Sequence, residues 1–314
     1  MVFLEFSNRL LHNIKEYYSW RLAKYKFLVL RVKVRFLGYY KYFVRDPKWL
    51  LMFVFGRFLF VRTIVIFFSR KSIAPKYEVN DSRFRDIDIE NTIRSLKNEG
   101  LSLGIEMPAA IAEEILDYAN REHFYGNGSL ENQLYLSEKE DWERNNGQKL
   151  TIGEYFYASE KCPILKALKT DPLLLEIANK YFNHKSICVG TRLWWSFAKA
   201  DDFQGRLKFG QELFHYDITG YQSLRFFFYI TDVDLFDGPH VCIRGSHKKK
   251  RFWHQLTLFV GRSDRAMIDY YGEENIIPIY GTSGFGFAED PFCFHRGVPP
   301  IDQNRLVLQI EYTC

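Results

Sequence analysis

The run Ser223–Val233, Ser-Leu-Arg-Phe-Phe-Phe-Tyr-Ile-Thr-Asp-Val, limits the possible folds more than any other stretch. It is almost continuously apolar and aromatic, the pattern of a strand buried on both faces. Such a strand needs a packing layer on each side. Helical signals supply one layer. Ile89–Asn98 reads as a helix stopped by Glu99-Gly100, and Pro108 opens an amphipathic helix through Asn120 with Ile111, Ile115, Leu116 and Tyr118 on or near one face. Ile164–Phe182 reads as two short helices divided at Asp171-Pro172. Strand signals supply the other layer: Leu101–Met107, Ser186–Ala198, Pro239–Arg244, Asn275–Tyr280, Gly284–Ala288, Phe292–His295 and Arg305–Thr313, separated by Gly, Pro and Asp clusters. Residues 126–148 read as loop. Helices followed by strands predict an α+β domain built on a sandwich or barrel.

The charge of the chain is divided unevenly. Residues 1–75 hold 15 Lys and Arg against three acids, a net +12, whereas the remainder holds 28 basic and 35 acidic residues, a net −7. Two parts are therefore expected: a basic, hydrophobic, helical N-terminal segment, 1–75, and a domain, 76–314. Within the first part, residues 9–30 read as helix and Arg31–Phe36 as a short strand. Asp46-Pro47 is a helix start, and Trp49–Phe68 is the most apolar run of the chain. Arg57 and Arg62 interrupt that run, and at roughly 2.5–3.5 kcal/mol each near a bilayer centre they offset most of its apolar gain. At 100° per residue Lys48, Arg62 and Arg70 fall on one side and Arg57 does not. Peripheral membrane contact through residues 47–70 and packing of that helix on the domain both stay open. No secretory signal is expected, and five cysteines without regular spacing favour a reducing, cytoplasmic setting, with membrane association left open. Nucleic acid is not expected as a partner, because no recognition motif accompanies the basic arm.

Chemistry concentrates in Gln211–Asp217, Gln-Glu-Leu-Phe-His-Tyr-Asp. His215 and Asp217 are two apart, so on a strand they share a face. An imidazole beside a carboxylate supplies two of the three ligands of a non-haem Fe(II) site. His-x-Asp arises readily by chance, so a second His must complete it. His295, in Phe-His-Arg-Gly at 294–297, lies at the end of a predicted strand; Pro299, Pro300 and Asp302 then form a turn, and Arg305 opens the last strand beside it. The planar fork of an arginine suits a dicarboxylate, and a metal with three protein ligands keeps positions open for a chelating 2-oxo acid and for dioxygen.

Four stretches together resemble the phytanoyl-CoA dioxygenase family of Fe(II)- and 2-oxoglutarate-dependent oxygenases: Gln211 with His215-Tyr-Asp217; Asp237-Gly-Pro239 leading to Gly245-Ser-His-Lys248; His295-Arg-Gly; and Arg305-Leu-Val-Leu-Gln. The resemblance covers roughly residues 93–312. It implies a double-stranded β-helix, a jelly-roll or cupin-like barrel flanked by helices, with the basic segment before residue 75 outside the family pattern. It also implies that His215, Asp217 and His295 bind iron and that Arg305, with Gln211, binds 2-oxoglutarate. The expected activity is a hydroxylase-type dioxygenase acting on a small-molecule or lipid-like substrate. The alternatives are a catalytically silent barrel that binds a membrane surface and a cupin-like isomerase. Ile243-Arg244 departs from the family pattern, which often has Pro before the Gly, and the ending Glu-Tyr-Thr-Cys is no peroxisomal signal. Elsewhere Ser246-His247 reads as a structural turn, Lys248–Arg251 as a solvated loop and Trp194-Trp195 as core. His184, His240 and His254 receive no role.

Overall fold

The computed structural model describes residues 46–69, 79–200, 210, 211, 213–256 and 261–314, with Tyr40, Val44 and Gly205. The expected helix at 9–30 and strand at 31–36 lie outside the described residues. The chain divides into two compact units, Met1–Phe55 and Gly56–Cys314.

In the first unit α1 (Pro47–Phe55) begins as expected, with the Asp46 carboxylate accepting from the Trp49 N–H at 3.1 Å. The second unit opens with α2 (Leu59–Phe68). The apolar run expected as one helix is thus two, because Phe58 takes extended backbone ahead of α2. Next comes α3 (Ile89–Glu99), capped by the Asp88 side chain and closed by Gly100 in the left-handed conformation at φ 73°. Strand β1 (Leu101–Leu103) and helix α4 (Ala109–Arg121) follow, then β2 (Phe124–Gly126) and β3 (Gln133–Leu134). The region expected as loop also holds α5 (Lys139–Asn146). Its apolar signal is weak because the buried side chain at its centre is Glu143, held by Lys139, Lys149 and the Leu150 N–H.

After β4 (Ile152–Glu154) come α6 (Ala158–Lys161), α7 (Pro163–Leu168) and α8 (Pro172–Phe182). Asp171 divides the last two as expected. Its carboxylate caps α8 and also receives the Ser82 hydroxyl and the Arg83 N–H, tying down the segment before α3. The strands are β5 (Ile187–Ser196), β6 (Ser223–Tyr229) and β7 (His240–Ile243); then, after α9 (Phe252–Leu256) and α10 (Asp264–Tyr271), β8 (Ile276–Ile279), β9 (Gly286–Glu289), β10 (His295–Gly297) and β11 (Arg305–Thr313). Residues 292–294, expected as strand, form the turn that leads into β10.

Two antiparallel sheets result. The large one has the order β1-β9-β6-β11-β5-β4-β2-β3, the small one β10-β7-β8. Every residue of β6 is buried, as the run of rings demands. Phe226 and Phe228 pack with Leu308 and Ile310 against the helical layer, alongside Leu96, Ile115 and Ile177. Phe227 and Tyr229 face the other way, packing with Phe287, Val307, Cys242 and Ile279 between the sheets. Helices therefore cover one face of the large sheet and the small sheet covers the other. That accords with the expected jelly roll.

Candidate metal centre

His215 and His295 are direct partners across an antiparallel bridge. The His215 N–H donates to the His295 carbonyl at 3.0 Å, and the reverse bond is 2.8 Å. Asp217 continues the pairing by donating its N–H to the Pro291 carbonyl at 2.8 Å. Alternation then puts His215, Asp217 and His295 on the inner face and Tyr216 and Phe294 on the outer. The ligand-capable atoms of the three residues lie within 4.8 Å of one another.

Each imidazole is oriented by its own strand. Nδ1 of His215 is 3.1 Å from the Leu213 carbonyl and Nδ1 of His295 is 3.0 Å from the Cys293 carbonyl. A carbonyl can only accept, so both Nδ1 atoms carry protons and each Nε2 is the atom left for a metal. Nε2 of His295 stands 3.6 Å from Oδ2 of Asp217. Gly210, at φ 72°, leaves no room for more than hydrogen: a Cβ there would come within 2.6 Å of the His215 ring. Two imidazoles and one carboxylate on one face fit Fe(II), leaving open positions for a chelating cosubstrate.

Electrostatics divide the three. Burial and the neighbouring His295 lower the pKa of His215 to about 4. Burial alone would also depress His295, but the Glu289 and Asp217 carboxylates outweigh it and push it up to about 10. Burial opposes ionisation of Asp217, yet Arg225 and then His295 hold its carboxyl well below the usual range. Nη1 of Arg225 donates to Asp217 Oδ2 and its Nε to Glu311 at 3.1 Å. Glu289 is buried with one oxygen 2.6 Å from His240 Nε2 and the other 3.0 Å from His295 Nδ1. His295 already donates to Cys293, so the second oxygen acts on it as a charge rather than an acceptor.

Beside the triad lies a second cluster. Arg305 is buried, and its Nη2 donates to the Ser196 hydroxyl at 3.2 Å. Its Nε has no hydrogen-bond partner among the described residues. Gln211, also buried, points its Nε2 at the same hydroxyl, 3.5 Å away. Gly297 closes the cradle: a Cβ there would lie 3.4 Å from Arg305 Nη2 and 3.8 Å from Gln211. A buried guanidinium with an unused donor calls for an anionic guest, and a dicarboxylate suits it.

The structure thus brings His215, Asp217 and His295 together and sets Arg305 and Gln211 side by side. Sequence reasoning missed Ser196, Arg225, His240 and Glu289. Only Arg225 carried a signal, as the lone charge in an otherwise apolar strand. Ser246 is the structural turn expected, accepting the Phe294 N–H and donating to the Ile243 carbonyl, each at 2.7 Å. The Lys248–Arg251 run departs from expectation. Lys250 is buried, its Nζ 4.0–4.6 Å from the ring centroids of Phe294, Tyr216 and Phe292.

No profile of a known protein family matches the chain, and no curated protein matches it in sequence. Solved structures resemble it at a low level. The non-heme alpha ketoglutarate dependent epimerase SnoN from nogalamycin biosynthesis is 15% identical over 72% of this chain and 80% of that one, with a TM-score of 0.49. HygX from Streptomyces hygroscopicus, with nickel and 2-oxoglutarate bound, is 12% identical over 71% and 85%, at 0.48. AviO1 from Streptomyces viridochromogenes Tue57 is 15% identical over 73% and 96%, at 0.46. Likeness of this degree carries no conclusion about chemistry. The resemblance to the phytanoyl-CoA dioxygenase family rests on the four motifs alone.

Proposed function

We propose that this chain is an Fe(II)- and 2-oxoglutarate-dependent oxygenase, with His215, Asp217 and His295 as the metal ligands and Arg305 as the cosubstrate clamp. The observation that carries the reading is the pairing of a facial two-imidazole, one-carboxylate set with a buried arginine whose Nε is unmatched. Bound Fe(II) and 2-oxoglutarate supply the activation of dioxygen, coupled to decarboxylation of the 2-oxo acid to succinate. The protein's part is positional. The Cys293 and Leu213 carbonyls fix which imidazole nitrogen faces the metal. Arg225 keeps Asp217 ionised and aimed, and Arg305, Ser196 and Gln211 receive the far carboxylate. Phe227, Tyr229 and Phe287 pack together between the sheets, with Phe227 and Phe287 against the His240 ring. Asp217 fills a ligand position that a halogenase would keep for halide, which favours hydroxylation, on a small-molecule or lipid-like substrate.

The test is iron- and oxygen-dependent conversion of 2-oxoglutarate to succinate by the purified protein. Turnover that vanishes in His215→Ala supports the reading. A parent protein that makes no succinate, and binds metal no tighter than His215→Ala, sinks it.

A further inference from the structure

Helix α2 presents two faces of opposite character. The two arginines that break its apolar run in the sequence are both buried, Arg57 at 3% and Arg62 at 7% exposure. Nη1 of Arg62 donates to the carbonyls of Gly56 and Gly220, each at 3.1 Å, and the guanidinium lies 4.0 Å from the Phe292 ring centroid. The Leu59 N–H donates to the Gln255 side chain at 2.8 Å, fixing the start of α2 against α9. The charges thus anchor the helix inward.

What remains outside is apolar. Phe60, Ile64, Phe67 and Phe68 follow the i, i+4, i+7, i+8 spacing of one helical face, and Phe60, Phe67 and Phe68 are 64%, 78% and 75% exposed. The hydroxyls of this stretch turn back on the helix: Thr63 donates to the Leu59 carbonyl at 2.9 Å and Ser69 to the Val65 carbonyl at 2.7 Å. Neither needs water. The strip continues onto α9 through ring contacts from Phe60 to Phe58 and Phe58 to Phe252, ending at Trp253, 72% exposed. Large exposed rings in one strip mark an interaction surface, since water gains nothing from them.

Charge says which partner. Lys248, Lys249 and Arg251 are exposed on the segment that enters α9, with Lys249 and Arg251 lying over the Tyr270 ring, 5.5 and 4.4 Å from its centroid. A second copy of this chain would bring the same positive charges to the contact. An anionic bilayer brings the opposite ones, and the +12 balance of residues 1–75 has the same preference. Ten residues of helix reach about 15 Å, half a bilayer core, and no helix among the described residues is long and apolar enough to cross a membrane. The helix therefore lies in the plane of the surface rather than through it.

We infer that the outer face of α2, continued by α9, docks this enzyme on anionic lipid, its rings in the acyl boundary and Lys248, Lys249 and Arg251 among the headgroups. The inference does not depend on the metal site. The experiment is flotation of the full-length protein with vesicles of phosphatidylcholine alone or with about one third phosphatidylserine, using the double variants Phe67→Ser/Phe68→Ser and Lys248→Glu/Lys249→Glu. All four positions are exposed, and thermal unfolding checks that each variant is folded. The parent is expected to float with the anionic vesicles only. The ring variant should lose at least about ten-fold in binding, and the charge variant about five-fold for each lysine removed. A parent that binds neither vesicle overturns the proposal. So does anionic binding that both variants retain in full, which would place the contact in residues 1–45. A lipid-independent dimer that the ring variant dissolves would assign the face to a second copy, and also overturns it.

Discussion

The inner and outer faces of the strand pair that carries the proposed metal ligands bury charge in opposite ways. Inside, the charges around the triad are paired, with Arg225 between Asp217 and Glu311 and Glu289 between His240 and His295, while Arg305 beyond them has no carboxylate among the described residues. Outside, one residue away along the same strands, Lys250 and Arg62 form no ion pair among the described residues. They rest against the faces of Phe292, Phe294 and Tyr216, and Arg62 adds two carbonyls. Ring faces and carbonyls attract a cation more weakly than a carboxylate does. Lys250 holds its proton loosely: burial pushes its pKa down to about 7, against the pull of Cys293 and Asp290. The inner face holds its charges in place by pairing them. The outer face merely tolerates two.

The largest test of that contrast is Asp217→Ala. It should abolish metal binding by calorimetry and succinate formation together, leaving only background. If metal affinity survives, the inner charges are as incidental as the outer ones and the contrast collapses. Next is Glu289→Gln, which keeps the shape but removes the charge facing both histidines. Metal affinity should fall about 10–100-fold, the range for groups that surround a ligating imidazole.

On the outer face Lys250→Met should stabilise the fold, by about 3 kcal/mol at pH 7 once the attraction of the rings is discounted. The pH dependence has a definite sign. Below pH 7 both folded and unfolded chains hold the Lys250 proton and the full cost of its buried charge is present. From about 7 to the ordinary lysine value near 10.5 only the unfolded chain holds it, so stability rises with pH by about 1.4 kcal/mol per unit. Urea unfolding of parent and variant at pH 7 and pH 9 measures this; a parallel response shows that Lys250 stays charged in its cage. The smallest effect belongs to Arg62→Met, about 1–2 kcal/mol from two carbonyls left unmet. Hydrogen exchange should quicken across Leu59–Phe68 while succinate formation holds.

Much of this was legible from the residues. Turn chemistry at Asp171-Pro172, the Asp88 and Gly100 ends of α3, and the double burial of β6 follow from local rules, and so does the shared face of His215 and Asp217. That His295 would stand opposite His215 was an inference about register, and local spacing does not encode register. For the same reason Glu289 and His240 stayed hidden, since their strands are separated by 49 residues. Lys250 was invisible for a different reason. In Lys-Lys-Lys-Arg all four residues look alike, and only the packing of Tyr216 and Phe294 decides which one turns inward. The arginines of the apolar run left two readings open, lipid contact and packing on the domain, and spacing alone could not show that both are buried.

The bridge between His215 and His295 has one more consequence. Because side chains alternate, slipping that pairing by a single residue would hold one strand in place and turn the other over, sending either His215 and Asp217 or His295 into the greasy layer and bringing Tyr216 or Phe294 inward in exchange. A molecule folded one step out of register would bury unmatched polar groups and break up the triad. The two hydrogen bonds of the bridge thus hold burial and the grouping of the three side chains to a single register.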